Sequence, residues 1–151
     1  MSRNHAATNS TQPIRVLVAD DHNLFAEAVT LVLVAEGLEV IAHAPDGDDA
    51  VRLARTLRPD VVLMDVHMPG MDGIEATRRI RAELPELPVL TVSSSTDPED
   101  VRAAAGVGAT AYIVKDCPSR ELIDAIRAAT VRQVAPLCGG GAAPVFAFAA
   151  A

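Results

Sequence analysis

Four short apolar runs in this chain each end, on the C-terminal side, in groups that carry chemistry. Ile14–Ala19 runs into Asp20 and Asp21, and Val61–Met64 into Asp65. Val89–Val92 runs into Ser93, Ser94 and Ser95, and Ala111–Val114 into Lys115. Runs this short, rich in Val and Ile and bounded by breakers such as Pro59 and Pro88, predict fully buried strands. Strands of that kind belong in a parallel sheet covered on both faces. Parallel strands place their C-terminal ends along one edge, where open α/β sheets carry their sites. Three acids, a hydroxyl and an amine therefore converge. Asp65 alone, followed by the turn signal Pro69-Gly70, would read as a simple turn cap; the convergence is what singles it out.

Between these runs lie helical patterns. Leu24 to Glu36 carries Leu24, Ala28, Leu31 and Ala35 at helical spacing and stops at Gly37. Leu38–Ala42 predicts a further strand, and Asp46 an N-cap for a helix bearing Ala50, Val51, Leu53, Ala54 and Leu57. A third helix spans Gly73 to Leu84, with Arg78, Arg79 and Arg81 facing solvent. Thr96 to Asp100 has the grammar of a helix start, with Pro in the first turn and acids at the positive dipole end. The helix it opens, Val101–Gly108, is short and rich in Ala and Gly. The last helix begins near Pro118 and ends near Thr130, with Leu122, Ile123, Ile126 and Ala129 at helical spacing. Strict alternation with short connections predicts a doubly wound α/β fold: a five-stranded parallel sheet, right-handed crossovers and five helices. This domain occupies 14–130. Residues 1–13 read as a disordered leader, and 131–151, with a Gly triplet and two prolines, as a disordered or loosely docked tail.

Half the residues are hydrophobic, and they are aliphatic: the chain has three Phe, one Tyr and no Trp. A net charge of -7 argues against a nucleic-acid surface. The residues after the last helix offer neither the two packed helices nor the cations of a helix-turn-helix, so no direct DNA binding is expected. Cys117 and Cys138 show no metal or disulfide spacing. Without a signal-peptide pattern or a run of about eighteen apolar residues, the expectation is a cytoplasmic protein with no membrane span.

Crowded carboxylates repel, by roughly 4 kcal/mol per pair at 4 Å and an effective dielectric near 20. A cation must offset this, and an all-oxygen set suits Mg²⁺. Asp20, Asp21 and Asp65 supply carboxylates and His67 its backbone carbonyl, its imidazole staying outside because Mg²⁺ disfavours nitrogen. One acid can instead be a nucleophile that forms an aspartyl phosphate. Asp65, single and central, is that candidate, with the Lys115 ammonium and the Ser93 hydroxyl around the phosphoryl oxygens. His67 and Ser95 flank the position from which water would attack, and so tune the lifetime of the phosphate.

With its acidic pair, Asp65 before Met68-Pro69-Gly70, Ser93 and Lys115, the stretch from Ile14 to Thr130 resembles the receiver domain of two-component response regulators. Asp20-Asp21-His22 and Lys115-Asp116 are similar to the LuxR/NarL-type subfamily, whose receivers precede a DNA-binding domain. The resemblance implies a flavodoxin-like sheet of order 2-1-3-4-5, and Asp65 as phosphoacceptor loaded from a sensor histidine kinase with Mg²⁺ on the acids. It implies Ser93 and Tyr112 as switch residues, Lys115 on the phosphoryl group, and a homodimer formed on phosphorylation as a further expectation. Such a domain signals rather than turning over a substrate, its only reactions being self-phosphorylation from a donor and autodephosphorylation. Two rivals stand beside this reading. One is a phosphorylation-independent receiver-like binding module, against which the complete set of phosphoryl-site residues argues. The other is a phosphohydrolase with an aspartyl nucleophile, which needs an acid two residues on, where this chain has His67.

Overall fold

The apolar runs pair side by side in the computed structural model, which describes residues 12–131 and 145–148. The strands are β1 (Arg15–Ala19), β2 (Glu39–Ala44), β3 (Val61–Asp65), β4 (Val89–Ser93), β5 (Ala111–Val114) and β6 (Val145–Ala147). The helices are α1 (Asn23–Ala35), α2 (Gly47–Leu57), α3 (Gly73–Glu83), α4 (Pro98–Gly106) and α5 (Ser119–Thr130). The sheet order is β2-β1-β3-β4-β5-β6, and β1 to β5 are parallel throughout. Thus the expected 2-1-3-4-5 arrangement is present, with β3 at its centre.

Side chains alternate across the strands and feed two cores. Val16, Val18, Val61, Leu63, Leu90, Val92 and Ile113 meet α1 and α5 on one face. Leu17, Ala19, Val62, Met64 and Val89 meet α2 and α3 on the other. Capping positions each helix over the sheet: Asp46, Asp72 and Asp97 accept backbone N–H bonds from Asp49, Glu75 and Glu99. Gly37, at φ +87°, turns the chain out of α1, a left-handed conformation that favours glycine.

The five-stranded parallel sheet stands as expected, and three details differ from the reading. The sheet has six strands among the described residues, because Val145–Ala147 pairs antiparallel with β5. That tail segment shows no useful periodicity in sequence because three residues are too few for any; pairing with the otherwise open edge of β5 is what makes it a strand. The expected leader lies outside the described residues save for Gln12 and Pro13, and the rest of the tail save for Val131 and Phe148 likewise; Cys138 falls there too. Second, the apolar spacing read in α1 follows the solvent face. Leu24 and Leu31 are 82% and 73% exposed, whereas Ala26, Val29 and Leu33 are buried. Both faces of this helix are aliphatic, so periodicity could not choose between them. Third, α4 starts at Pro98 rather than Val101, and β2 runs on to Ala44, since His43 and Ala44 pair with Val18 and Ala19 beyond a register shift.

Candidate functional site

The ends of β1, β3 and β5 bring Asp20, Asp65 and Lys115 together as the parallel register requires. Asp20 and Asp65 are 2% and 3% exposed, which removes water as the main solvent of their charge. Lys115 Nζ compensates, 3.0 Å from Asp20 Oδ2 and 3.5 Å from Asp65 Oδ1. The ammonium also lies 4.6 Å from the centre of the Phe25 ring on α1, a cation–π contact that fixes its approach. Asp21 stands beside Asp20 with its side chain partly open to solvent.

His22 joins this cluster, a position that sequence reasoning did not assign. Its Nδ1 is 3.3 Å from both Asp20 Oδ1 and Asp21 Oδ1 and 4.0 Å from Asp65 Oδ2, and its backbone N–H donates to Asp20 Oδ1 at 2.7 Å. One ligand atom from each of Asp20, Asp21, His22 and Asp65 falls within 4.8 Å of all the others, the geometry of a cation site. The signal available was adjacency alone, a histidine directly after the acidic pair.

Burial, and next the neighbouring Asp20 charge, push Asp65 from an ordinary 3.8 up to about 6, with Lys115 pulling the other way. Asp65 Oδ2 is buried without a hydrogen-bond partner among the described residues. An orphaned carboxylate oxygen beside two further acids is a donor set that fits a hard divalent cation. The backbone around Asp65 is held closely: Gly73 N–H donates to Val66 C=O at 2.8 Å, and a Cβ on Gly73 would lie 1.9 Å from the Asp65 carbonyl oxygen. Only glycine lets α3 start this near the end of β3. The sequence showed Gly73 simply as a helix start.

The remaining expected residues divide. Ser93, fully buried at the end of β4, accepts from Ser95 N–H at 3.0 Å. The buried Tyr112 donates from its hydroxyl to Ser95 C=O at 2.8 Å. Ser95 thus joins the two through its backbone, while its own Oγ accepts from Asp97 N–H at 3.0 Å, toward the start of α4. The His67 backbone N–H supports the Asp65 carboxylate. Its imidazole is exposed and turned away, with Nε2 3.5 Å from Asp100 Oδ2 on α4.

Residues 16–127 match the family model described as the response regulator receiver domain. The chain belongs to that family. This receiver is 44% identical over 118 residues to the transcriptional regulatory protein LiaR of Bacillus subtilis, covering 78% of this chain and 56% of that protein. It is 46% identical over 112 residues to a protein-glutamate methylesterase/protein-glutamine glutaminase of Anaeromyxobacter dehalogenans, covering 74% of this chain and 33% of that one. Its fold matches the signal receiver domain of the response regulator NarL from Mycobacterium tuberculosis with a TM-score of 0.76 and 35% identity, over 81% of this chain and 99% of the other. The chain spans about half the length of the curated regulators it matches. No helix among the described residues is long and apolar enough to cross a membrane. The receiver is a phosphoacceptor signalling domain, and its acidic cluster is of the kind with which receivers generally bind Mg²⁺.

Proposed function

We propose that Asp65 is the residue phosphorylated, by a sensor histidine kinase, and that the phosphoryl group changes the β4–α4 and β5 surface that a partner reads. The observation that supports this most directly is the asymmetry of the Asp65 carboxylate. Oδ1 faces Lys115 Nζ at 3.5 Å, while the buried Oδ2 has no hydrogen-bond partner among the described residues and lies 4.0 Å from His22 Nδ1, on the side of the acidic cluster.

In the transfer, one carboxylate oxygen of Asp65 forms a bond to phosphorus, the bond from phosphorus to the donor histidine nitrogen breaks, and its electron pair stays on that nitrogen. Phosphoryl transfer depends on positioning and charge compensation more than on covalent assistance. Lys115 moves its attraction from Asp20 and Asp65 to a phosphoryl oxygen, and the Ser93 hydroxyl donates to another. Asp20, Asp21, Asp65 and the His67 carbonyl would hold Mg²⁺, which when bound supplies positive charge to the acids and the phosphoryl oxygens. With His67 turned toward Asp100 and Ser95 toward Asp97, these two act on phosphate lifetime by holding the loops around the site.

Output is through protein contacts, with homodimerisation on phosphorylation among them, and the acidic chain itself does not bind DNA. Relatives carry different whole-protein activities, a transcriptional regulator and a methylesterase among them, so the site and not the output is what this domain defines.

Incubation with acetyl phosphate and Mg²⁺ tests the reading. One acid-labile, hydroxylamine-sensitive phosphate per chain is expected, absent in Asp65→Asn and not formed when EDTA replaces Mg²⁺ during the incubation. Undiminished labelling of Asp65→Asn would overturn the assignment.

A further inference from the structure

The edge of β5 lies away from the acids, and its Tyr112 is tied through Ser95 to Ser93 at the end of β4. β6 covers it in antiparallel register, with Ala111 opposite Ala147, Tyr112 opposite Phe146 and Ile113 opposite Val145. Phe148 N–H extends the pairing, donating to Thr110 C=O at 2.9 Å. Alternation along a strand puts Phe146 and Phe148 on one face and Val145 on the other. Phe146 meets the Tyr112 ring edge-on, centroids 6.1 Å apart and planes at 65°. Phe148 packs into the cluster of Val66, Ala104, Ala109 and Tyr112, while Val145 packs against the core under α1 and α5. From Tyr112 the contacts continue through Ser95 to the Ser93 hydroxyl.

The geometry points to the outer edge of β5 as a strand-docking surface for an extended apolar segment with aromatic residues at alternate positions. The chain's own Val145–Phe148 is its resident occupant, and occupancy is coupled to phosphorylation through Tyr112. The coupling rests on the phosphoacceptor reading given above; the docking surface does not.

An uncovered edge strand offers unpaired N–H and C=O groups to any extended segment, with side-chain pockets at alternate positions giving selectivity. Here Phe148 packs into the cluster around Tyr112, and Phe146, 37% exposed, meets the Tyr112 ring. Pairing over so few residues is weak on its own, which makes the occupant displaceable. When the Ser93 hydroxyl turns to a phosphoryl oxygen it releases Ser95 N–H. The Ser95 carbonyl shifts, and Tyr112 loses the acceptor that holds its ring against Phe146. By linkage the effect is reciprocal: a strand that stays docked opposes phosphorylation.

The test uses the full chain and its Phe146→Ala/Phe148→Ala variant, neither residue belonging to the acidic site. Lys115 N–H bonds Ser93 C=O on the β4 side, so the alternation of β5 points the Tyr112 amide at β6, and its hydrogen exchange reports the edge. At least tenfold faster exchange is expected at Tyr112 in the variant, and in the wild type after phosphorylation by acetyl phosphate, while β3 amides stay protected. A fluorescent peptide with the sequence of residues 143–149 is expected to bind the variant and not the wild type. Unchanged Tyr112 exchange in the variant, no peptide binding to it, or equal binding by the wild type overturns the docking surface. A labelled wild type whose Tyr112 exchange is unchanged overturns the coupling alone. A wild type that takes no label overturns the phosphoacceptor reading and the coupling together, and the variant and peptide measurements still decide the docking surface.

Discussion

Lys115 Nζ lies nearer to Asp20 Oδ2, at 3.0 Å, than to Asp65 Oδ1, at 3.5 Å. The resting ammonium is therefore held chiefly by the acid at the end of β1, and its weaker hold on Asp65 is the one a phosphoryl group would strengthen. Removing it leaves two buried carboxylates without their cation, and breaking a buried pair in this way costs about 3–5 kcal/mol. Lys115→Met is expected to lower the denaturation midpoint strongly in chelator and to gain more from added Mg²⁺ than the wild type does. Thermal melts with EDTA and with Mg²⁺ measure this; equal Mg²⁺ gains in both proteins would count against it.

Asp65 makes stability depend on pH. Because its folded pKa, about 6, lies above the ordinary 3.8, folding favours the protonated acid. That contribution is full below the unfolded value and is lost as pH rises through the folded one. A shift of about two units corresponds to roughly 3 kcal/mol. In chelator, Asp65→Asn is expected to match the wild type in stability near pH 4 and to exceed it by up to that amount near pH 7.5. Urea titrations at the two pH values decide it, and a gap that fails to widen with pH would refute the assignment.

Gly73 links the fold to the site. A Cβ there would sit 1.9 Å from the Asp65 carbonyl oxygen, a backbone atom that cannot swing away. Gly73→Ala is expected to cost about 3 kcal/mol, the upper range for overpacking, and to reduce phosphodonor labelling by displacing the end of β3. Gly106 has open space around its Cβ position, so Gly106→Ala is the control and should keep both stability and labelling. Equal behaviour of the two variants would show that the close approach is unimportant.

Helix α1 gives a test of which face is core. Leu33 is fully buried and Leu31 is 73% exposed. Leu33→Ala is expected to destabilise by about 2–5 kcal/mol, and Leu31→Gln by no more than about 0.5 kcal/mol. Chemical denaturation of both variants checks it; comparable losses would place Leu31 in a contact.

How much was legible follows from the range of the physics. Apolar runs punctuated by Pro and Gly determine strands and helices locally, and strict alternation leaves few sheet topologies. Parallel register then places the C-terminal ends of β1, β3 and β5 on one edge, so the convergence of Asp20, Asp65 and Lys115 was legible in the sequence. What only the tertiary structure decided depends on neighbours distant in sequence. The choice of Leu33 over Leu31 depends on the rotation of α1 over β1 and β3, because both faces are aliphatic. Phe25 under Lys115, and Gly73 against Asp65, arise from approaches between elements that no local pattern encodes. His22 carried the signal of adjacency, but its proximity to three carboxylates required the turn after β1. Val145–Ala147 became a strand because β5 offered an open hydrogen-bonding edge, a property of the sheet rather than of those residues.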